Sequence, residues 1–198
     1  MQKDFYRVLG VSPLSSLEDI HKSYRALSKK YHPDVCKEKL LAEEKTKEIV
    51  EAYNKLKDMG ERKTYDSQKM FRFREFNKKK SKYVERKPGL FDIFTPKAKR
   101  PRVVKSVGGK SPVESSFTMG ITFVASRKKD SIEAAQEEFK NVTELDPTNP
   151  DGHYNLGLTY YLLGDFDKAI NTFRKALSLD PKDNDARTMS NILIDPEI

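Results

Sequence analysis

His32, Pro33 and Asp34 bring an imidazole and a carboxylate together around a single proline. Proline disfavours helical geometry at the residue before it and lacks a donor of its own, so this tripeptide marks the end of a helix and an exposed loop. Two polar groups on such a loop are suited to presentation to a partner rather than to packing in a core. Three residues alone carry little specificity, and their meaning rests on what flanks them. The other reactive side chains are sparse. Cys36 is the one cysteine, which excludes an internal disulfide or a cysteine zinc site and fits a reducing compartment. The three histidines are scattered without metal-ligand spacing, so no metal site is expected.

The loop needs elements to hold it. Before it, Ile20, Tyr24, Leu27 and Tyr31 recur at spacings of four, three and four, the rhythm of one buried helix face. Lys22, Arg25 and Lys29 fall on the opposite face, as solvated charge or as a docking surface. Ser15 or Ser16 can cap the start, and Glu18 and Asp19 complement the positive end of the helix dipole. After the loop, Ile49, Ala52, Tyr53 and Leu56 form a second apolar stripe between residues 40 and 57. Two such helices joined by a short loop predict an antiparallel hairpin with facing stripes. Phe5, Tyr6 and Leu9 form a short third piece, and Tyr65 closes the far end; these aromatics are expected in the core.

In order and spacing, Asp4-Phe5-Tyr6, Leu9-Gly10-Val11, residues 22–27, Tyr31-His32-Pro33-Asp34, Glu51-Ala52-Tyr53 with Leu56, and Arg62 with Tyr65-Asp66 resemble a J domain of the DnaJ co-chaperone family. The resemblance covers about residues 2–67. It implies docking on a DnaK-type 70-kDa heat-shock chaperone and stimulation of that partner's ATP hydrolysis. The family signature falls on His32, Pro33 and Asp34, and its basic docking face falls on Lys22, Arg25, Lys29 and Lys30. In that role Asp34 accepts a charge-assisted bond from a partner arginine, and the basic face sets encounter rate and orientation. It further implies that the ATPase site belongs to the partner, so no catalytic residue, cofactor or enzyme activity is expected here. Three positions depart from the family pattern. His21 and Ala26 stand where basic residues are common, which thins the docking face. Thr46 stands where a core phenylalanine is common; an unfilled site of that kind costs about 3–5 kcal/mol.

Charge divides the rest of the chain. Residues 1–66 hold 14 Lys/Arg and 12 Asp/Glu, residues 67–112 hold 15 and 3, and residues 113–198 hold 9 and 15. The basic character is therefore local to the middle, despite an overall pI near 9.3. That middle stretch contains Lys78-Lys79-Lys80, the tract from Lys97 to Arg102, Gly108-Gly109 and four prolines, without a sustained apolar period. It is expected to be a largely disordered linker over residues 68–115, with residues 70–77 as a continuation of the last J-domain helix. Phe71, Phe73 and Phe76 lie among arginines, and Leu90, Phe91, Ile93 and Phe94 form one apolar island. A basic tract with interleaved aromatics also fits binding to ribosomal RNA, other nucleic acid or an anionic membrane surface. Neither a glycine/phenylalanine-rich linker nor a cysteine-rich module follows, which resembles the J-only class.

From about residue 116 the pattern changes again. Leu156-Gly157, Tyr160, Gly164, Phe166, Ala169, Phe173, Ala176 and Pro181 are similar to a tetratricopeptide repeat. Gly157 and Ala169 let its two helices approach, and Tyr160 and Phe173 fill the space between them. An upstream repeat shows in Leu145-Asp146-Pro147 against Leu179-Asp180-Pro181, 34 residues apart, and in Ala135 and Phe139 against Ala169 and Phe173. Met119-Gly120 echoes Leu156-Gly157 once three residues are inserted near 126–130, which predicts a longer turn. Residues 183–193 are expected to cap the stack. His153 is unusual at its position. The resemblance implies a groove for a client or partner protein. A subset of such repeats clamps acidic chaperone tails; here Asn155 matches one clamp position, but Tyr154 and Leu158 replace polar neighbours. With an excess of acid over base, this groove suits a basic or apolar peptide, including the chain's own basic middle.

The sequence therefore predicts an all-α protein: a J domain over residues 1–67, a basic linker over 68–115, and about two repeats with a cap over 116–198. The main functional expectation is a co-chaperone with a client-binding repeat domain. The alternatives are a ribosome- or nucleic-acid-associated adaptor acting through the linker, and a J-like scaffold that does not stimulate ATPase. No stretch is long enough to span a bilayer, and the J domain starts too early for a signal peptide to precede it, so a cytoplasmic location is expected.

Overall fold

A computed structural model describes residues 4–32, 36, 38–68, 72–83 and 111–194. Among them are nine helices and no strand. The first four belong to the N-terminal unit: α1 Phe5–Leu9, α2 Leu17–Lys30, α3 Lys39–Lys57 and α4 Met59–Gln68. Their boundaries follow from local chemistry. Asp4 caps α1 by accepting from the Arg7 amide at 2.9 Å, and Gly10 ends it with φ +64°, a conformation that costs glycine nothing. Ser16, not Ser15, caps α2. Its hydroxyl accepts from the Asp19 amide while the Asp19 carboxylate accepts from the Ser16 amide, each at 3.1 Å. This reciprocal box satisfies two otherwise orphaned donors. Asp58 accepts from the Gly60 and Glu61 amides and starts α4.

The expected hairpin of α2 and α3 is present. Ile20, Ile49, Ala52 and Leu56 are buried, and Tyr24 stacks on Tyr53 with ring centroids 4.1 Å apart. Tyr65 on α4 packs on Phe5 at 4.7 Å and accepts from the Phe5 amide at 3.0 Å. Arg62 ties the corner together by donating to the Tyr6 hydroxyl and to the carbonyls of Pro13 and Ser15. Thr46 does not refill an aromatic site. It is half-buried, donates to the Tyr31 carbonyl at 3.1 Å, and borders a shallow surface cleft with Val50 and Asn54.

The C-terminal unit stacks α5 Pro112–Val124, α6 Lys129–Leu145, α7 Pro150–Leu163, α8 Phe166–Leu179 and α9 Asn184–Leu193. Two helix pairs are followed by a single helix. Gly120 and Gly157 allow close approach within each pair: an added Cβ would come within 2.8 Å of the Phe139 ring and 2.7 Å of the Phe173 ring. The first pair turns through four residues, 125–128, and the second through two, Gly164 and Asp165, so the longer first turn is present. Phe139, Phe173, Ala135 and Ala169 are fully buried. Tyr160, expected inside, is only half-buried, because Tyr154 and Leu158 occupy the interior beside Phe173. Pro181 is exposed, and its carbonyl accepts from Arg187.

Three features differ from the sequence expectations. First, α4 ends at Gln68, and residues 72–77 are not helical. Second, residues 72–83 are packed against the repeats rather than free, because their aromatic and basic side chains find partners there. The expectations for residues 84–110, including the apolar island and the tract from 97 to 102, lie outside the described residues. Third, α5 begins at Pro112, ahead of residue 116, with Ser111 accepting from the Glu114 amide as its cap and proline in the first turn.

The two units share one core. A continuous buried cluster runs from Phe5, Tyr6 and Leu9 to Tyr161, Phe166 and Phe173. At the junction the Tyr161 hydroxyl donates to the fully buried Asp4 carboxylate at 2.9 Å, and Ser12 donates to the Leu162 carbonyl at 2.5 Å. Burial and then the neighbouring Asp4 charge push the Tyr161 phenol well above its ordinary range, so it stays a donor. Gly164, at φ +84°, brings the turn between α7 and α8 against Ser12, where an added Cβ would lie 3.3 Å from Ser12 Cα. Arg7 meets Asp167 at 3.5 Å and covers the Phe166 ring at 5.8 Å.

Candidate partner-binding surfaces

Two surfaces carry the predicted site residues. On the first, α2 turns Lys22, Arg25, Lys29 and Lys30 outward, all exposed, and His32 follows at its exposed C-terminal end. Lys30 also lies over the Tyr31 ring at 5.1 Å. The His32 carbonyl accepts from the Cys36 amide at 2.9 Å. Pro33 and Asp34 lie outside the described residues. His21 stands beside this basic row: its Nδ1 pairs with the Tyr53 hydroxyl at 2.7 Å, and the rings meet edge-on at 5.3 Å. It is thus engaged in holding α2 to α3. The repeat unit attaches elsewhere, on Asp4, Arg7 and Ser12.

The second surface is the face formed by α5, α7 and α9, and residues 72–83 lie in it. Asn155, fully buried, grips the backbone of Arg74 from both sides: its amide donates to the Arg74 carbonyl, and its own carbonyl accepts from the Arg74 amide, each at 2.8 Å. Such pairing requires backbone groups not already used within a helix, which is why this segment is not helical. The Arg74 guanidinium forks onto Asp183 at 2.5 and 2.6 Å, reaches Asp151 at 3.0 Å and Asp185 at 3.4 Å, and lies 3.7 Å from the Tyr154 ring centroid. A planar guanidinium matches this combination of fork and ring where an ammonium would not.

Flanking residues extend the contact. Phe73 stacks on Phe139 at 5.9 Å, and Phe76 meets Phe117 edge-on at 5.7 Å. Lys80 reaches Asp151 at 3.1 Å and Asp180 at 3.5 Å. The buried Asp146 carboxylate accepts from the Ser81 hydroxyl at 2.7 Å and the Lys82 amide at 3.0 Å. Burial alone would lower the Arg74 pKa, but Asp183 and Asp151 hold it above the ordinary value. Burial alone would raise the Asp183 carboxyl, but the Arg74 hydrogen bond and charge and the Ala186 amide keep it below the ordinary range. Removing one partner from such a buried set leaves an uncompensated charge, at a cost of about 3–5 kcal/mol.

Of the residues singled out from sequence, Leu156, Gly157, Ala169 and Phe173 form the interior beneath this groove. Asn155 was visible only as a match to one position of the acidic-tail clamp, a clamp the sequence otherwise argued against. Arg74, Asp151, Asp183 and Tyr154 were not assigned to a site. Their sequence signal was indirect: strongly basic residues 67–112 precede an acidic repeat region. His153, the unusual position, sits behind the groove with Nε2 at 2.9 Å from the Pro147 carbonyl, and its burial lowers its pKa. Among the described residues no cluster of His, Cys, Asp and Glu could hold a metal ion. No described helix is long and apolar enough to cross a membrane.

Comparison with known proteins identifies both kinds of domain. The DnaJ domain family matches residues 4–66. The tetratricopeptide repeat family matches residues 150–183, and a second repeat family matches residues 125–164. Over 65 residues, the chain is 55% identical to chaperone protein DnaJ 2 of Aquifex aeolicus and 54% identical to chaperone protein DnaJ of Staphylococcus epidermidis. It is 52% identical to the curved DNA-binding protein of Coxiella burnetii over the same length. These matches cover 33% of this chain but only 17%, 17% and 20% of those relatives. The chain carries a DnaJ domain at residues 4–66, followed by two tetratricopeptide repeats between residues 125 and 183.

Proposed function

We propose that this chain is a co-chaperone that docks on an ATP-bound DnaK-type 70-kDa heat-shock chaperone, stimulates its ATP hydrolysis through His32, Pro33 and Asp34, and uses its repeats to hold a client or partner protein. The observation that carries this reading is the exposed row of Lys22, Arg25, Lys29 and Lys30 leading to His32, on the side of the DnaJ domain that the repeats leave uncovered. Asp34 accepts from an arginine of the chaperone, and the row of cations meets an acidic surface and orients the encounter. The chain does no covalent chemistry in this reading; the nucleotide and the hydrolysis belong to the chaperone. Its place is then the cytoplasm, beside that partner. The alternative of a nucleic-acid adaptor is the weaker reading, because Arg74 and Lys80 of the basic tract are engaged by groove carboxylates.

The test is binding to the chaperone in each nucleotide state, followed by fluorescence anisotropy. Wild type binds the ATP form, binds the ADP form at least tenfold more weakly, and loses ATP-state binding on Asp34→Asn. Equal affinity for both states, or an Asp34→Asn protein that binds as well as wild type, would sink the reading.

A further inference from the structure

We propose that residues 72–83 are a built-in competitor for the repeat groove, and that the external ligand of this groove is a non-helical segment of a partner protein carrying an arginine flanked by aromatic residues. The inference rests on the repeat half of the function proposed above and gives it a ligand class and a regulator.

The groove reads a segment at several independent points. Asn155 grips one residue's backbone amide and carbonyl and takes no account of its side chain. Asp183, Asp151 and the Tyr154 face then select arginine at that residue. The Phe139 ring takes an aromatic one position before, and Phe117 takes one two positions after. Asp146 and Asp180 receive donors and a cation further along. A backbone clamp, a side-chain pocket and flanking apolar sites are the parts of a peptide-binding site, and here the chain's own segment fills all of them.

Tethering makes that segment a strong competitor. Covalent attachment makes its binding intramolecular, which raises its effective concentration at the groove, so an outside segment of equal affinity competes poorly. A ligand that improves on the flanking contacts, or that is presented in many copies, displaces it. The DnaJ face on α2 is not covered by the segment, so this competition acts on the partner bound by the repeats.

The probe is a fluorescein-labelled peptide of residues 72–83, and the readout is anisotropy with the full chain. Arg74→Ala in the chain weakens the internal segment and leaves the groove carboxylates in place, so the peptide binds that chain at least tenfold more tightly than wild type. Arg74→Lys, which keeps the charge and loses the fork, falls between the two. A peptide with alanine at the position of Arg74 binds none of them. In wild type carrying an isotope label, the Arg74 amide loses hydrogen-exchange protection as unlabelled peptide is raised to the mM range. Equal peptide affinity for wild type and both chain variants, absence of binding to all three, or unchanged Arg74 protection overturns the proposal. Docking on the chaperone is read separately with wild type, so a groove that takes no peptide leaves that result standing, and a chain that fails to dock leaves the peptide result standing.

Discussion

Arg74 is held by two carboxylates of low exposure, a third that is exposed, and the face of a tyrosine. At this scale the chemistry has a pH signature. The Asp183 carboxyl is depressed in the folded chain, so its contribution is fully present above the ordinary Asp value of about 3.9 and is lost as pH falls through its lower folded value. The difference in urea midpoint between wild type and Asp183→Asn is therefore constant from about pH 5 to 7 and narrows below pH 4. A difference that widens on acidification would show that Asp183 is not held as an anion by Arg74. The sequence revealed Phe73, Phe76 and the basic residues around them, but read residues 70–77 as helix. That continuation of the preceding helix lost to Asn155, which lies 81 residues from Arg74 and pairs with its backbone.

At the scale of elements, most of the architecture was legible because it is written in short-range spacing. The stripes of α2 and α3, the Ser16 cap, the 34-residue offset and the small residues facing aromatics all act within one or two helices. Gly157 illustrates the tolerance this leaves. An added methyl would meet Phe173 at 2.7 Å, so Gly157→Ala overpacks the α7–α8 pair and costs about 1–3 kcal/mol, read as a lower melting temperature. A neutral result would show that the pair can spread without loss. Tyr160 was placed inside from its matching position and lies at the edge, because Tyr154 and Leu158 already fill the interior. Thr46 was legible as a lost aromatic, and the structure answers with a hydrogen bond to the Tyr31 carbonyl rather than with a replacement.

At the scale of the molecule, the DnaJ domain and the repeats are joined through Asp4, Ser12 and Tyr161, which no local pattern announces: Asp4 and Tyr161 are 157 residues apart. Their bond has a charged acceptor and is buried, so Tyr161→Phe destabilises the chain by about 1.5–3 kcal/mol. A double-mutant cycle with Asp4→Asn gives a coupling energy of at least about 0.5 kcal/mol in urea unfolding; additive effects would mean that the two units touch without depending on each other. The junction contacts lie on Asp4, Arg7 and Ser12 and leave the DnaJ face of α2 uncovered. The central claim is that this face works on a chaperone ATPase. Single-turnover ATP hydrolysis by a DnaK-type chaperone, measured with wild type and with His32→Gln, tests it most directly. The account predicts clear acceleration by wild type and none by His32→Gln. No acceleration by wild type, or equal acceleration by both, would contradict it.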